Sequence, residues 1–138
     1  MLLPILGGAA LGALFAVLAA NRGAAGERRL LALGLVVAAL IYVGLAKPSA
    51  DSHWLAVEAI GVIMFGGLAW VGSRAAGWLA LGWAAHVAWD VGLHLDRAQP
   101  VVGGWYPLAC VGFDLVIAGF VLHAAVQAVR LRAGAPVK

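Results

Sequence analysis

Charge is scarce in this chain. Of 138 residues, 11% are Asp, Glu, Lys or Arg, against 64% hydrophobic. A soluble domain of this length carries about a quarter charged residues, so the composition points to lipid as the solvent. Cysteine is nearly missing as well. Cys110 is the single one, which excludes an intrachain disulfide and any multi-cysteine metal site. No lysine lies inside an apolar run, since Lys47 and Lys138 both fall outside. A retinal Schiff base is therefore excluded. The net charge of +3 implies no nucleic-acid partner, because the arginines sit at the ends of apolar runs, where topology accounts for them.

What the chain does have is five hydrophobic runs, at about residues 2–20, 30–46, 54–73, 75–95 and 105–129. Each is near the roughly 20 residues a helix needs to cross ~30 Å of hydrocarbon. Linkers are short, and no repeat suggests an inverted-repeat transporter. The expected architecture is all-α: a five-helix integral membrane bundle forming one transmembrane domain over residues 1–138. A signal peptide has a basic region before its apolar stretch. Here Arg22 and its neighbours come after the first run, which is read as a retained span.

Orientation follows from the basic residues. With the N-terminus outside and the C-terminus cytoplasmic, the inner segments hold Arg22, Arg28, Arg29, Arg74, Arg130, Arg132 and Lys138. The outer loops hold only Lys47 and Arg97. That is a positive-inside bias. Trp54, Trp105 and Tyr106 then belong to the outer interface and Trp78 to the inner one.

Against this background the segment HVAWDVGLH, residues 86–94, stands out. His86, Asp90 and His94 recur every fourth residue. Steps of four advance only about 40° around an α-helix, so the three share a face. Ala80, Ala84, Ala88 and Gly92 line the opposite face and predict close approach of a neighbouring helix there. The fourth span is expected at the bundle centre, gripped on one side and polar on the other. Tyr106, Cys110 and Asp114 form a second polar line on the fifth span. Gly8 and Gly12 on the first span are a small-residue packing signal, and such faces also leave room for self-association.

Depth brings these groups together. At ~1.5 Å per residue, Glu58 and Asp90 lie ~6 Å below the outer end of their spans, and Asp114 ~12 Å below Tyr106. His86 is one turn deeper than Asp90, His94 is near the outer surface, and Tyr42 is near the same outer level. Each acid in a span costs about 2.5–3.5 kcal/mol, roughly 8–10 for Glu58, Asp90 and Asp114 together. Such residues persist when they face one another, a cavity or a cation. The expectation is a polar pocket opening outward between spans three, four and five.

Three chemistries fit that pocket. Metal binding is the first: Asp90 with either histidine, plus Glu58 or Asp114 from a neighbouring helix, makes a ligand set for Zn, Fe or Mn. Carboxylates and histidines projecting into a bundle also build two-metal sites, so the candidate ligands are Glu58, His86, Asp90, His94 and Asp114. Acid–base chemistry is the second, with Asp90, His86 and Asp114 as catalytic candidates acting on a lipid-like or isoprenoid substrate. Tyr42, Trp83, Trp89, Tyr106 and Cys110 are candidate pocket residues, the two tryptophans as walls of an apolar slot. The third is a metal-free cluster that only pins the helices, as in an accessory subunit. A haem held by His86 and His123 is disfavoured because they lie at different depths. His123 and Gln127 are expected to cap inner-side packing.

The pattern His86-x-x-Trp89-Asp90-x-x-x-His94, followed by Trp105-Tyr106-Pro107-x-x-Cys110-x-x-x-Asp114, resembles a family of small bacterial multi-span integral membrane proteins of unknown function. The resemblance covers the last two spans and implies a multi-pass protein of the bacterial cytoplasmic membrane. It implies no activity. The leading functional expectation is a small intramembrane enzyme with an outward-facing pocket. Its rival is a proton or metal-ion transporter or sensor using the same residues.

Overall fold

The structure is a computed structural model and describes residues 2–46, 52–95 and 104–133. Its described residues form five helical segments: α1 (Leu2–Ala20), α2 (Gly23–Ala46), α3 (Ser52–Gly72), α4 (Ala76–Trp89) and α5 (Trp105–Ala133). A π-helical segment, Asp90–Leu95, continues α4 without a break. The helices close into a ring in chain order, with α5 returning against α1 and α4 also touching α2 across the middle. Four helices are long and apolar enough to cross a membrane: Leu2–Ala20, Gly23–Leu45, His53–Gly72 and Trp105–Leu131. Expected span 75–95 is the exception, because its helix divides into 14 α-helical and six π-helical residues.

Two helices outrun their apolar runs. α2 begins at Gly23 rather than near residue 30, and α5 continues to Ala133 rather than residue 129. Apolar runs mark where hydrocarbon-compatible residues stop, whereas Glu, Arg and Ala remain good helix formers. The expected linker 21–29 thus shrinks to a turn at Asn21-Arg22. There the Asn21 side chain donates to the Val17 carbonyl at 3.0 Å and Gly23 adopts φ 68, a left-handed conformation that favours glycine. The turn between α3 and α4 is held by the Ser73 hydroxyl and Arg74 guanidinium, both donating to the Trp70 carbonyl.

Glycine sets the seam between α1 and α5. A Cβ added at Gly8 would collide with the backbone carbonyl of Ala109, and one at Gly112 with that of Ile5. Gly12 meets Phe113 in the same way. The rising register of these contacts means that α1 and α5 run parallel, which the ring of five requires. The small-residue signal on the first helix therefore marks this seam.

α4 departs from its expected arrangement. Of its small-residue line only Ala80 is buried, while Ala84, Ala88 and Gly92 are exposed. The face turned inward carries Leu79, Gly82, Trp83 and His86, then Asp90 and His94. Small residues permit close approach without driving it. Ionisable groups in an apolar chain are driven inward by desolvation cost, and they decide which face α4 hides.

The interior has two halves. Toward the end bearing Arg22, Arg28, Arg29 and Arg74 it is apolar, built on Leu31, Leu35, Phe65, Leu79, Trp83 and Ile117. Toward the other end it is polar: Glu58, His86, Asp90, His94 and Asp114 are each no more than 1% exposed. Outside, large apolar side chains such as Leu3, Ile63 and Leu131 are bare. Polar groups inside an apolar exterior reverse the arrangement of a soluble protein. Lys47, Arg97 and Lys138, which enter the orientation argument, lie outside the described residues.

Candidate functional site

The buried polar layer is built from side chains on four elements: Tyr42 on α2, Glu58 on α3, His86, Asp90 and His94 on α4 and its π-helical extension, and Asp114 on α5. Winding explains how α4 supplies three. The α-helical step from His86 to Asp90 overshoots a full turn. The wider π winding, with its i→i+5 bonds, makes the step from Asp90 to His94 fall short of one. The two deviations offset each other, so His94 turns back into the bundle. It is buried in the bundle.

Two histidine–carboxylate pairs result, and both cross between helices. His86 Nδ1 lies 2.6 Å from Asp114 Oδ2, whereas its separation from Asp90 Oδ2, one turn along the same helix, is 3.6 Å. The hydrogen-bonded partner of His86 is thus Asp114 rather than Asp90. His94 Nε2 approaches Glu58 Oε1 at 3.3 Å, and the Trp89 indole donates a long 3.5 Å bond to Glu58 Oε2. Aromatic rings pack the layer: Tyr42 stacks on His94 with centroids 3.9 Å apart, and Phe65 meets His86 edge-on at 4.7 Å.

Asp90 belongs to neither pair. It is fully buried, and neither of its oxygens accepts a hydrogen bond. Among the described residues, eight buried side-chain N and O atoms lack a hydrogen-bond partner. All but the Trp83 indole nitrogen belong to this layer: Tyr42, Glu58, His86, Asp90 and His94. Native proteins leave a few such groups per hundred residues, each needing an explanation, and here they converge. One ligand atom each from His86, Asp90 and Asp114 lies within 4.8 Å of the other two. These three could hold a metal ion. Glu58 and His94 pair beside that group without joining it.

A cavity of about 330 Å³ lies between α1, α2 and α5. Leu11 and Phe15 of α1 and Val37 and Ile41 of α2 form its walls, and Tyr106, Cys110 and Asp114 line it along α5. Tyr106 and Cys110 therefore line a cavity, while Tyr42 is buried in the polar layer. Trp83 and Trp89 are not walls of this cavity. Trp83 is buried against Phe113, with ring centroids 5.8 Å apart, and Trp89 covers Gly61 and packs on Phe65. His123 and Gln127 are exposed, so they cap no packing.

Phe65 and Gly34 were not singled out in the sequence. Phe65 sits seven residues after Glu58 on α3, a spacing that shares one helix face and signals its place beside His86. Gly34 lies under the Phe15 ring and beside Trp83, a cross-helix contact that no spacing within α2 announces.

Residues 2–127 match the family of unknown function designated DUF6010. The chain belongs to that family. No curated protein and no solved structure matches it.

Proposed function

We propose that the protein is a small multi-pass intramembrane enzyme that uses His86, Asp90 and Asp114, around a divalent metal ion, to act on a lipid-like or isoprenoid substrate. The buried group of His86, Asp90 and Asp114, in which both Asp90 oxygens and His86 Nε2 lack a hydrogen-bond partner, supports this reading most. A bare buried carboxylate is costly, and a cation beside Asp90 offsets that cost. One imidazole and two carboxylates suit Zn, Fe or Mn. The metal would supply Lewis-acid polarisation of a substrate oxygen or phosphoryl group. With a metal bound, His86 would be its imidazole ligand; without one, Asp114 would hold Nδ1 through their hydrogen bond and leave Nε2 to take or give a proton. Glu58 and His94 are the ligands available to a second ion, with Asp90 between the two pairs.

The apolar exterior and four membrane-length helices support a bilayer setting. The ring topology gathers Arg22, Arg28, Arg29, Arg74 and Arg130 at one end, the end read as cytoplasmic by the positive-inside rule. The N-terminus then faces outward, with the protein in a bacterial cytoplasmic membrane, as the His-x-x-Trp-Asp and Trp-Tyr-Pro-x-x-Cys-x-x-x-Asp motifs suggest.

Metal analysis of protein purified without chelator tests the proposal. Stoichiometric Zn, Fe or Mn that is lost in Asp90→Ala is expected, and no bound metal in the unmutated protein would overturn the metal-dependent reading. The run of five buried ionisable groups from Glu58 to Asp114 also favours a second reading, movement of a proton or metal ion. Ion flux in liposomes that collapses in Asp114→Asn would select it.

A further inference from the structure

The cavity between α1, α2 and α5 shows how a substrate reaches the polar layer. α1 packs far more closely on α5 than on α2, so the α1–α2 side is where the ring is loosest. Leu11, Val37 and Ile41 line the cavity and are also 62%, 46% and 40% exposed. A side chain that does both marks an opening through the helical wall. This opening lies at the level of the spans, so whatever passes through it arrives from the hydrocarbon.

The interior of the cavity narrows the choice. Phe15 and Phe113, with centroids 5.6 Å apart, form its floor beneath Gly34, whose missing side chain makes room for the Phe15 ring. Above them the accessible walls are apolar, and α5 runs along one of them. There Tyr106, Cys110 and Asp114 follow one another at four-residue steps, a seam ~12 Å long. Asp114 is 1% exposed and is the residue bonded to His86, so the cavity ends on the proposed chemistry. Its volume of about 330 Å³ is at the small end of ligand sites. At ~30 Å³ per water-sized unit, and with a methylene of similar size, it holds about ten carbons of one chain.

We infer that this cavity seats a single-chain amphiphile, which enters sideways between α1 and α2 and lays its polar group against Cys110 and Asp114. The inference rests on the proposed enzymatic reading and adds the substrate class and its route. An amphiphile fits because the walls are apolar and the cavity ends at Asp114, beside the buried polar layer. A single chain fits because of the volume. Lateral access fits because the opening faces lipid.

Photo-crosslinking tests it on the full chain in nanodiscs, with a diazirine-bearing fatty alcohol as probe and a phosphatidylcholine carrying the diazirine on one acyl chain as comparison. The fatty alcohol is expected to label Leu11, Val37 and Ile41 at least tenfold above Ile63 and Leu115, which are exposed but do not line this cavity. Phosphatidylcholine should label all five comparably. Val37→Trp, at the rim, should remove most of the excess without touching the interior, and Leu11→Trp provides a second block should the first misfold. Even labelling of all five positions by both probes, unchanged by either tryptophan, would overturn the inference. Metal content is read on the same samples. Groove labelling without bound metal leaves the chain seat standing and removes the metal-dependent enzyme. Bound metal with even labelling does the reverse.

Discussion

Asp90→Asn should make the metal-free protein more stable and the metal-loaded protein less stable than the unmutated chain. Asp90 is fully buried, neither carboxylate oxygen accepts a hydrogen bond, and His86 Nδ1 stands 3.6 Å from Oδ2. An unsatisfied buried group costs about 1–3 kcal/mol, and more when charged. Asparagine keeps the shape, removes the charge and brings an N–H₂ donor into a neighbourhood of acceptors: Asp114, Glu58 and the Tyr42 hydroxyl. In chelator the variant is therefore expected to gain about 1–3 kcal/mol, with each kcal/mol raising the melting midpoint by roughly 3–5 °C for a chain of this size. Metal at about 1,000 times its Kd stabilises the unmutated protein by roughly 4 kcal/mol, while the variant has lost a ligand and gains little. The order of stability should invert. Thermal unfolding of detergent-solubilised protein in EDTA and then in Zn²⁺, Mn²⁺ or Fe²⁺ measures both limbs. A variant that melts below the unmutated protein in EDTA, beside an unmutated midpoint that no metal moves, would refute the reasoning. Asp90 would then be a structural member of a polar cluster.

Two further predictions concern the frame that carries the site. Gly8→Ala places its methyl on the Ala109 carbonyl and should destabilise the bundle by about 1–3 kcal/mol or more. Gly7→Ala, one residue away with nothing within 4 Å, should be neutral or slightly stabilising through helix propensity; equal midpoints for the two variants would contradict the α1–α5 seam. For orientation, a membrane-impermeant maleimide applied to intact spheroplasts should label Gly104→Cys in a Cys110→Ser background. Ser73→Cys, at the arginine-rich end, should react only after permeabilisation, and the opposite result would invert the topology.

Much of the frame was legible beforehand because lipid imposes a simple rule. Apolar runs of about 20 residues report helices long enough to span, and the five runs correspond to the five helical segments. Helix ends were less legible. Glu27, Arg28 and Arg29 interrupt the apolar run without interrupting the helix, since charge disfavours hydrocarbon while leaving helix propensity intact. The site was legible as a set of residues, because ionisable groups in apolar spans are costly enough to stand out singly. Their pairing was not. Spacing along α4 suggested His86 with Asp90, whereas the hydrogen bond runs to Asp114 on α5, a relation between helices that no period within one helix encodes.

The sequence by itself determined that the chain is helical, largely apolar, and burdened with Glu58, His86, Asp90, His94 and Asp114 within its apolar runs. Those properties follow from side-chain chemistry and the spacing of residues along one helix. Only the tertiary structure decided that α4 hides its polar face and exposes Ala84 and Ala88, that a π-helical turn brings His94 inward, and that the cavity opens between α1 and α2. Each depends on how close two helices come. Gly8, Gly112 and the rings of Phe15 and Phe113 set that distance jointly, and it belongs to pairs of helices rather than to any one stretch of chain.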